Sequence, residues 1–278
     1  MNENIKISII IPCFNNENTI IETLDSVNNQ IHKNKEIIIV NDGSTDNSKS
    51  IIEKYISNNN KNFILLNQEN KGASFSRNYG ANKASGKYLM FLDADDLLHE
   101  TYVSKCVEVL ENDKNIDIVY SEISFFEAQT GKWELNDFQI TNFLINNCIP
   151  ICAVFKTETF KATTGFDTNL SFAEDWDLWI QIIKLNNAVF KIPEILFYYR
   201  KRFSQDSLTD KMNIDSSCDI SRLYIYNKHY DFYKQNNLSL TDLVNSYNIS
   251  VKYYKKYFSV WYRKLYYNLK TDKFKKLS

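Results

Sequence analysis

At 278 residues, with 44 % apolar and 24 % charged side chains, the chain can bury one substantial core, or a core plus a small appendage. That composition excludes a disordered or collagen-like protein. The formal net charge of −1 hides an uneven split. From Asp219 onward 12 Lys and Arg face 4 Asp and Glu, against 21 and 30 in the first 218 residues.

In chain order, Lys6 to Pro12 is a short β-branched run that reads as a first buried strand, with no small-residue cleavage site to make it a signal peptide. Ile20, Ile21, Leu24, Val27 and Ile31 follow at helical spacing behind an Asn-rich start. Glu36 to Val40 reads as a second strand, and a helix after Asp46 turns Ile51, Ile52, Tyr55 and Ile56 inward. Phe63 to Leu66 is a third strand, Ala73 to Ala84 a helix, and Lys87 to Leu92 a fourth strand. Strands separated by single helices predict a parallel sheet with right-handed crossovers and ligands at its carboxyl edge.

Beyond Tyr120 the pattern loosens. Gly131 marks a hairpin, Ile151 to Gly165 is partly helical, and Glu174 to Leu185 is amphipathic with Trp176, Trp179, Ile180 and Ile183 inward. Val189 to Ile192 and Ile195 to Tyr199 read as two late strands. Residues 1–205 are thus read as the catalytic domain and 206–278 as a helical extension. No run approaches about 18 apolar residues, so no bilayer-spanning helix is expected. Five cysteines at scattered spacing (Cys13, Cys106, Cys148, Cys152, Cys218) point to a reduced cytoplasmic compartment and not to a disulfide frame or a zinc site.

Three polar loops follow the predicted strands. Asp93-Ala94-Asp95 places two carboxylates at the end of strand four, where they suit a hard divalent cation that leaves room for phosphate oxygens. Asp96 adds to the negative charge, and a cap of a helix near His99 by Asp95 or Asp96 is the plainer alternative. Asp42-Gly43-Ser44 is a turn that offers a carboxylate to a base N–H. Arg77 follows Asn70-Lys71-Gly72 one turn into a helix, a setting that favours phosphate, with a structural ion pair as the alternative. Glu174-Asp175 opens the amphipathic helix and supplies a general base.

Ile9-Ile10-Ile11-Pro12-Cys13-Phe14-Asn15, Val40-Asn41-Asp42-Gly43-Ser44-Thr45-Asp46, Asn70-Lys71-Gly72, Phe91-Leu92-Asp93-Ala94-Asp95-Asp96 and Glu174-Asp175-Trp176-Asp177-Leu178-Trp179 together resemble glycosyltransferase family 2. These are inverting enzymes with an A-type, Rossmann-like α/β fold: a mixed, mainly parallel sheet flanked by helices. The resemblance spans about residues 5–205. It implies a UDP-sugar donor, with Pro12, Phe14, Glu17 and Asp42 around the uridine, Arg77 and Asp93 near the donor, and Asp95 on Mn2+ or Mg2+. Asp175 is then the base, with Glu174 beside it. In Tyr199-Arg200-Lys201-Arg202 an arginine stands where the family often has histidine, which makes Arg200 and Arg202 diphosphate candidates. A glycan, lipid-linked compound or protein would be the acceptor.

The tail places Val251, Tyr254, Phe258, Trp261, Leu265 and Leu269 on one helical face among lysines. It reads as a helix packed on the catalytic domain or on a second subunit of a homo-oligomer, or as one lying on the inner face of the cell membrane. Nucleic acid is not expected, because no recognition motif accompanies the basic residues. A nucleotidyltransferase would want a glycine-rich basic loop after the first strand, and Cys13 to Glu17 is not one. A non-catalytic binding module would not be expected to retain Asp42, Asp93, Asp95 and Asp175 together.

Overall fold

The computed structural model describes residues 5–59, 62–186, 188–203 and 217–257. Strands β1 (Ile7–Cys13), β2 (Lys35–Asp42), β3 (Phe63–Gln68) and β4 (Tyr88–Phe91) pair in parallel in the order β3-β2-β1-β4. Their crossovers are α1 (Ile20–Asn28), α2 (Ser48–Asn58) and α3 (Ala73–Lys83). The continuous Ile and Val runs have their physical reason here: β2 and β4 are buried at every position, as sheets covered on both faces require. In α1 Ile20, Leu24 and Val27 are buried, whereas Ile21 and, beyond the helix, Ile31 are exposed. Gly80 lets α3 lie directly on the sheet, since a Cβ there would meet Ile10 Cγ2 at 2.5 Å.

The second half adds β5 (Leu97–Leu98), α4 (Tyr102–Asn112), β6 (Ile118–Glu127), β7 (Gly131–Trp133), α5 (Ile140–Phe143), β8 (Val154–Lys156), α6 (Thr157–Lys161), α7 (Glu174–Ile183) and β9 (Val189–Lys201). The sheet runs β3-β2-β1-β4-β8-β6-β9-β5, with β7 hairpinned onto β6 through the turn before Gly131. Two expectations need correction. The two late strands are one strand, β9, which stays paired to β6 by bulging around Pro193 and Glu194, between the partners of Ser121 and Glu122. No helix starts at Asp95 or Asp96; the short β5 follows instead, and α4 begins behind Thr101.

Strand order reverses beside β1, between β2 and β4. In an open α/β sheet this opens a crevice at the carboxyl ends, where the loops after β1 and β4 meet.

Helices α8 (Ser217–Lys228), α9 (Tyr230–Gln235) and α10 (Leu240–Tyr257) follow. The chain forms two compact units, Met1–Asn227 and Lys228–Ser278. Within the first, Arg222 of α8 donates to Ile145 O at 3.1 Å and lies 5.5 Å from the Trp176 ring. The expected tail face beyond Tyr257 falls outside the described residues. Among those described, no helix is long and apolar enough to cross a membrane.

Candidate active site

The loop after β1 is tied down by the start of α2. Asn15 Oδ1 accepts from Thr45 N–H at 2.8 Å, and Asn16 N–H donates to Ser48 Oγ at 2.8 Å. Glu17 Oε2 accepts from the backbone and side-chain nitrogens of Asn47 at 2.9 and 2.8 Å. Its carboxylate therefore closes the loop against α2. Pro12 is half-buried, and Phe14 is 43 % exposed, an aromatic surface at the strand end. Thr19 Oγ1 donates to Ala94 O at 3.1 Å, which joins this loop to the paired aspartates.

Asp42, at the end of β2, is 3 % exposed. Its Oδ1 accepts from Lys71 N–H at 2.9 Å and Gln68 Nε2 at 2.6 Å, and its Oδ2 accepts from Gly72 N–H at 2.8 Å. The carboxylate thus fixes the Asn70-Lys71-Gly72 loop at the mouth of α3. Gly43 is required beside it: its φ is +69°, and a Cβ would stand 2.7 Å from Asn70 N.

Arg77 is the link that joins the motifs. Its guanidinium is almost wholly buried, with one arm on Asp93 Oδ1 at 2.7 Å and the other on Glu174 Oε1 at 2.6 Å. The planar fork of arginine suits two carboxylates at once. A ligand-facing arginine was one alternative and a structural ion pair the other; the guanidinium forms the ion pairs.

Asp95 is raised above the usual carboxylate range by burial first and then by Asp93, while Arg202 opposes the shift. Arg202 donates to Asp95 Oδ2 at 2.6 Å. Asp93 Oδ2 and Asp95 Oδ1 have no hydrogen-bond partner among the described residues. Two uncommitted carboxylate oxygens, crowded by like charge, fit a hard divalent cation. Among the described residues no group of three His, Cys, Asp or Glu forms a complete cage. Asp96 is 1 % exposed, and burial, then Asp95 and Asp93, push it well above its ordinary value. Its Oδ1 accepts from Arg200 N–H at 2.9 Å.

Arg200 is a brace. Its Nε donates to Asp95 O at 2.6 Å, its two arms meet Glu22 and Glu127, and Phe126 lies 4.4 Å from its centre. These contacts fasten β9 to the aspartate loop and to α1.

Glu174 and Asp175 open α7 behind Ala173, whose φ is +58°. Asp175 Oδ1 accepts from Trp176 N–H at 2.7 Å and Oδ2 from Asn147 Nδ2 at 3.1 Å. Burial, and then the Glu174 charge, push Asp175 up to about 7. A carboxylate poised there can take a proton near neutral pH. Asp175 lines a cavity of about 180 Å³ together with Arg77, Asp93, Glu174, Asn147 and an apolar wall that includes Trp133. Sequence reading missed Asn147 and Trp133, which lie in the stretch without periodicity. It also missed Gln68, for which no motif gave a signal.

Residues 8–164 match the family model described as Glycosyl transferase family 2. The minor teichoic acid biosynthesis protein GgaB of Bacillus subtilis is 33 % identical over 218 residues, covering 73 % of this chain and 24 % of that protein. The chain therefore spans about a quarter of that relative's length. The structure of Staphylococcus aureus TarS 1–349 in complex with UDP-GlcNAc superposes with a TM-score of 0.62 at 20 % identity, covering 74 % of this chain and 61 % of that one. The mannosyltransferase PcManGT of Pyrobaculum calidifontis, in complex with GDP-Man and Mn2+, gives 0.56 at 19 %, over 72 % and 58 %. At such identities the likeness establishes the shared A-type fold. The motifs at the strand ends and the family match agree: the chain belongs to glycosyltransferase family 2.

Proposed function

We propose that the chain is an inverting glycosyltransferase that moves a hexose or N-acetylhexosamine from a UDP-sugar to an acceptor hydroxyl in the cytoplasm. The pathway would be the assembly of a surface polysaccharide, a lipid-linked oligosaccharide or a protein glycan. The observation that carries the reading is Asp175. It is a carboxylate with a near-neutral pKa, half-buried in a cavity and coupled through Glu174 and Arg77 to the aspartates after β4. The relative that makes teichoic acid and the neighbour bound to UDP-GlcNAc support the polymer pathway and the donor class.

In this reading the nucleotide lies against Pro12 and Phe14, with Glu17 and Asp42 shaping the loops beneath it. Asp95 and Asp93 would hold Mn2+ or Mg2+, which when bound neutralises charge developing on the departing diphosphate. Arg202 beside Asp95 adds positive charge at the same place, and Arg200 keeps the aspartate loop in position. Asp175 accepts the acceptor's hydroxyl proton as the oxygen attacks the anomeric carbon from the face opposite the leaving group. Configuration inverts, and no covalent enzyme intermediate forms. Glu174, held by Arg77, stands beside Asp175 and raises its affinity for the proton.

The test is release of nucleotide diphosphate from a panel of UDP-sugars, with and without Mn2+, beside Asp95→Ala and Asp175→Ala. Metal-dependent turnover of one donor, lost in both variants, is the expected result. No turnover and no UDP binding by calorimetry would sink the UDP-sugar reading.

A further inference from the structure

We propose that Asn147 is a positioning residue for Asp175: its side-chain amide turns the carboxylate toward the acceptor hydroxyl and holds it there. This rests on the transferase reading above, in which Asp175 is the base, and names what aims it.

The chain from Phe143 to Ile149 is fastened to α7 at both ends. Trp176 and Trp179, one helical turn apart, donate their indole N–H groups to Phe143 O at 3.0 Å and Ile149 O at 3.1 Å. Both rings are buried, so water offers those N–H groups no alternative partner. Between the two fastenings, Arg222 of α8 donates to Ile145 O. Asn147 therefore stands on a braced loop, although no helix or strand contains it.

The amide can face only one way. Its Oδ1 accepts from Ile149 N–H at 3.0 Å, a local turn that leaves Nδ2 as the atom facing Asp175 Oδ2 at 3.1 Å. Asp175 Oδ1 accepts from Trp176 N–H at 2.7 Å. With that bond alone the carboxylate could still swing its other oxygen. A donor on each oxygen fixes its plane, and a reacting base needs that fixed direction.

An amide also suits the charge balance. Burial raises Asp175 most, and then Glu174; the Trp176 N–H and Arg77 lower it, and Asp93 raises it. Glu174, Arg77 and Asp93 are its charged neighbours in the cavity wall, and the stretch 143–149 adds no charge. A cationic side chain in place of Asn147 would favour the ionised carboxylate and weaken it as a base. Asparagine holds it through a neutral donor instead.

The experiment compares the full-length wild type with Asn147→Ser. Serine keeps an oxygen for the Ile149 N–H but is too short to reach Asp175 as well. The variant should melt like the wild type and keep its KM for the donor, while kcat falls about tenfold because the base is no longer aimed. The ionised form of Asp175 loses a donor, so the acid limb of the pH–rate profile should move to higher pH. Carboxyl-carbon NMR on protein with labelled aspartate reads the same change without turnover, the Asp175 signal being assigned by its loss in Asp175→Asn. Its midpoint, about 7 in the wild type, should rise by about one pH unit.

An Asn147→Ser protein that melts like the wild type, with kcat and the Asp175 midpoint in place, would overturn the proposal. So would a midpoint that moves while kcat stays, since the contact would then aim nothing. A lower kcat with neither pH readout moved would assign Asn147 to the loop turn alone and overturn it too. If the variant unfolds, the wild type decides: the Asn147 side-chain amide signal must shift with the Asp175 midpoint. No nucleotide release from any donor fails the transferase reading, and the carboxyl midpoint then decides the Asn147 contact by itself. Turnover indifferent to Asn147→Ser keeps that reading and fails only the positioning role.

Discussion

Replacing Arg77 by methionine tests whether the two acidic motifs act as one unit. The side chain keeps its length while Asp93 and Glu174 lose the cation 2.7 and 2.6 Å away. Removing one member of a buried ion pair costs about 3–5 kcal/mol. Here the guanidinium is 5 % exposed but Asp93 and Glu174 are 34 % and 17 % exposed, so water screens part of the loss. About 3 kcal/mol is the reasoned figure, which for a chain of this size lowers the melting temperature by about 6–10 °C.

Arg77→Lys keeps the charge but presents one ammonium where the fork spanned two carboxylates, so it should recover part of the loss. Arg77→Met with Glu174→Gln should recover stability without turnover. A purely structural role would stop at melting. The functional coupling adds a second readout, because Arg77 opposes the upward shift of Asp175. Without it Asp175 rises further above about 7, and the acid limb of the pH–rate profile moves to higher pH. The assays are thermal melts and nucleotide diphosphate release across pH. A variant that melts with the wild type, or one whose acid limb stays in place, would refute the reasoning.

Two other substitutions test the site. Asp175→Asn should cut turnover by about 10²–10⁴, and wild-type kcat/KM should fall as pH drops through about 7, where the base becomes protonated. Because the folded-state pKa of Asp175 is raised, its contribution to stability is complete below the ordinary Asp range and is lost as pH rises toward 7; Asp175→Asn should flatten that slope in melts run from pH 4 to 8. Asp42→Ala removes the acceptor of the Lys71 and Gly72 N–H groups and leaves the amide of Gln68 with Ser76 Oγ alone. It should cost about 2–4 kcal/mol in melts and weaken nucleotide binding by calorimetry, since each buried group left unpaired costs about 1–3 kcal/mol.

The first hundred residues were legible because their forces are local. Buried β-branched runs, helical spacing and polar loops follow one another there, and β1 to β4 fall within two residues of their expected limits. The second half depends on pairing across long separations. β6 and β9 lie about seventy residues apart, and Pro193, which reads locally as a break, is absorbed by a bulge. The candidate site shows the same division. Asp93, Asp95, Glu174 and Asp175 stand in motifs that a reader can see. The use made of them does not: Arg77 meets Glu174 across 97 positions, and nothing near Arg77 announces it. Asp42 and Glu17 carry the right chemistry, yet hydrogen bonds to distant loops occupy it. Trp133 lies in a three-residue strand too short for any period to mark it.

Backbone strain gathers at the same place, and this leads to a final test. Three of the four described non-glycine residues with positive φ flank the site: Asn15 after β1, Glu127 beside Arg200, and Ala173 before Glu174. Asparagine tolerates that conformation, but alanine pays about 1–2 kcal/mol for it. Packing must therefore hold Ala173 at +58°, and in doing so it fixes the direction in which Glu174 and Asp175 leave the turn. Ala173→Gly removes the clash but adds about 0.5–1 kcal/mol of chain entropy, so stability should rise by about 0.5–1 kcal/mol. Turnover should fall several-fold, because glycine no longer confines the carboxylates, while the acid limb of the pH profile stays where Asp175 sets it. A lower melting temperature would show that the left-handed turn is not strained. Full activity with higher stability would show that the strain is not used to aim the base.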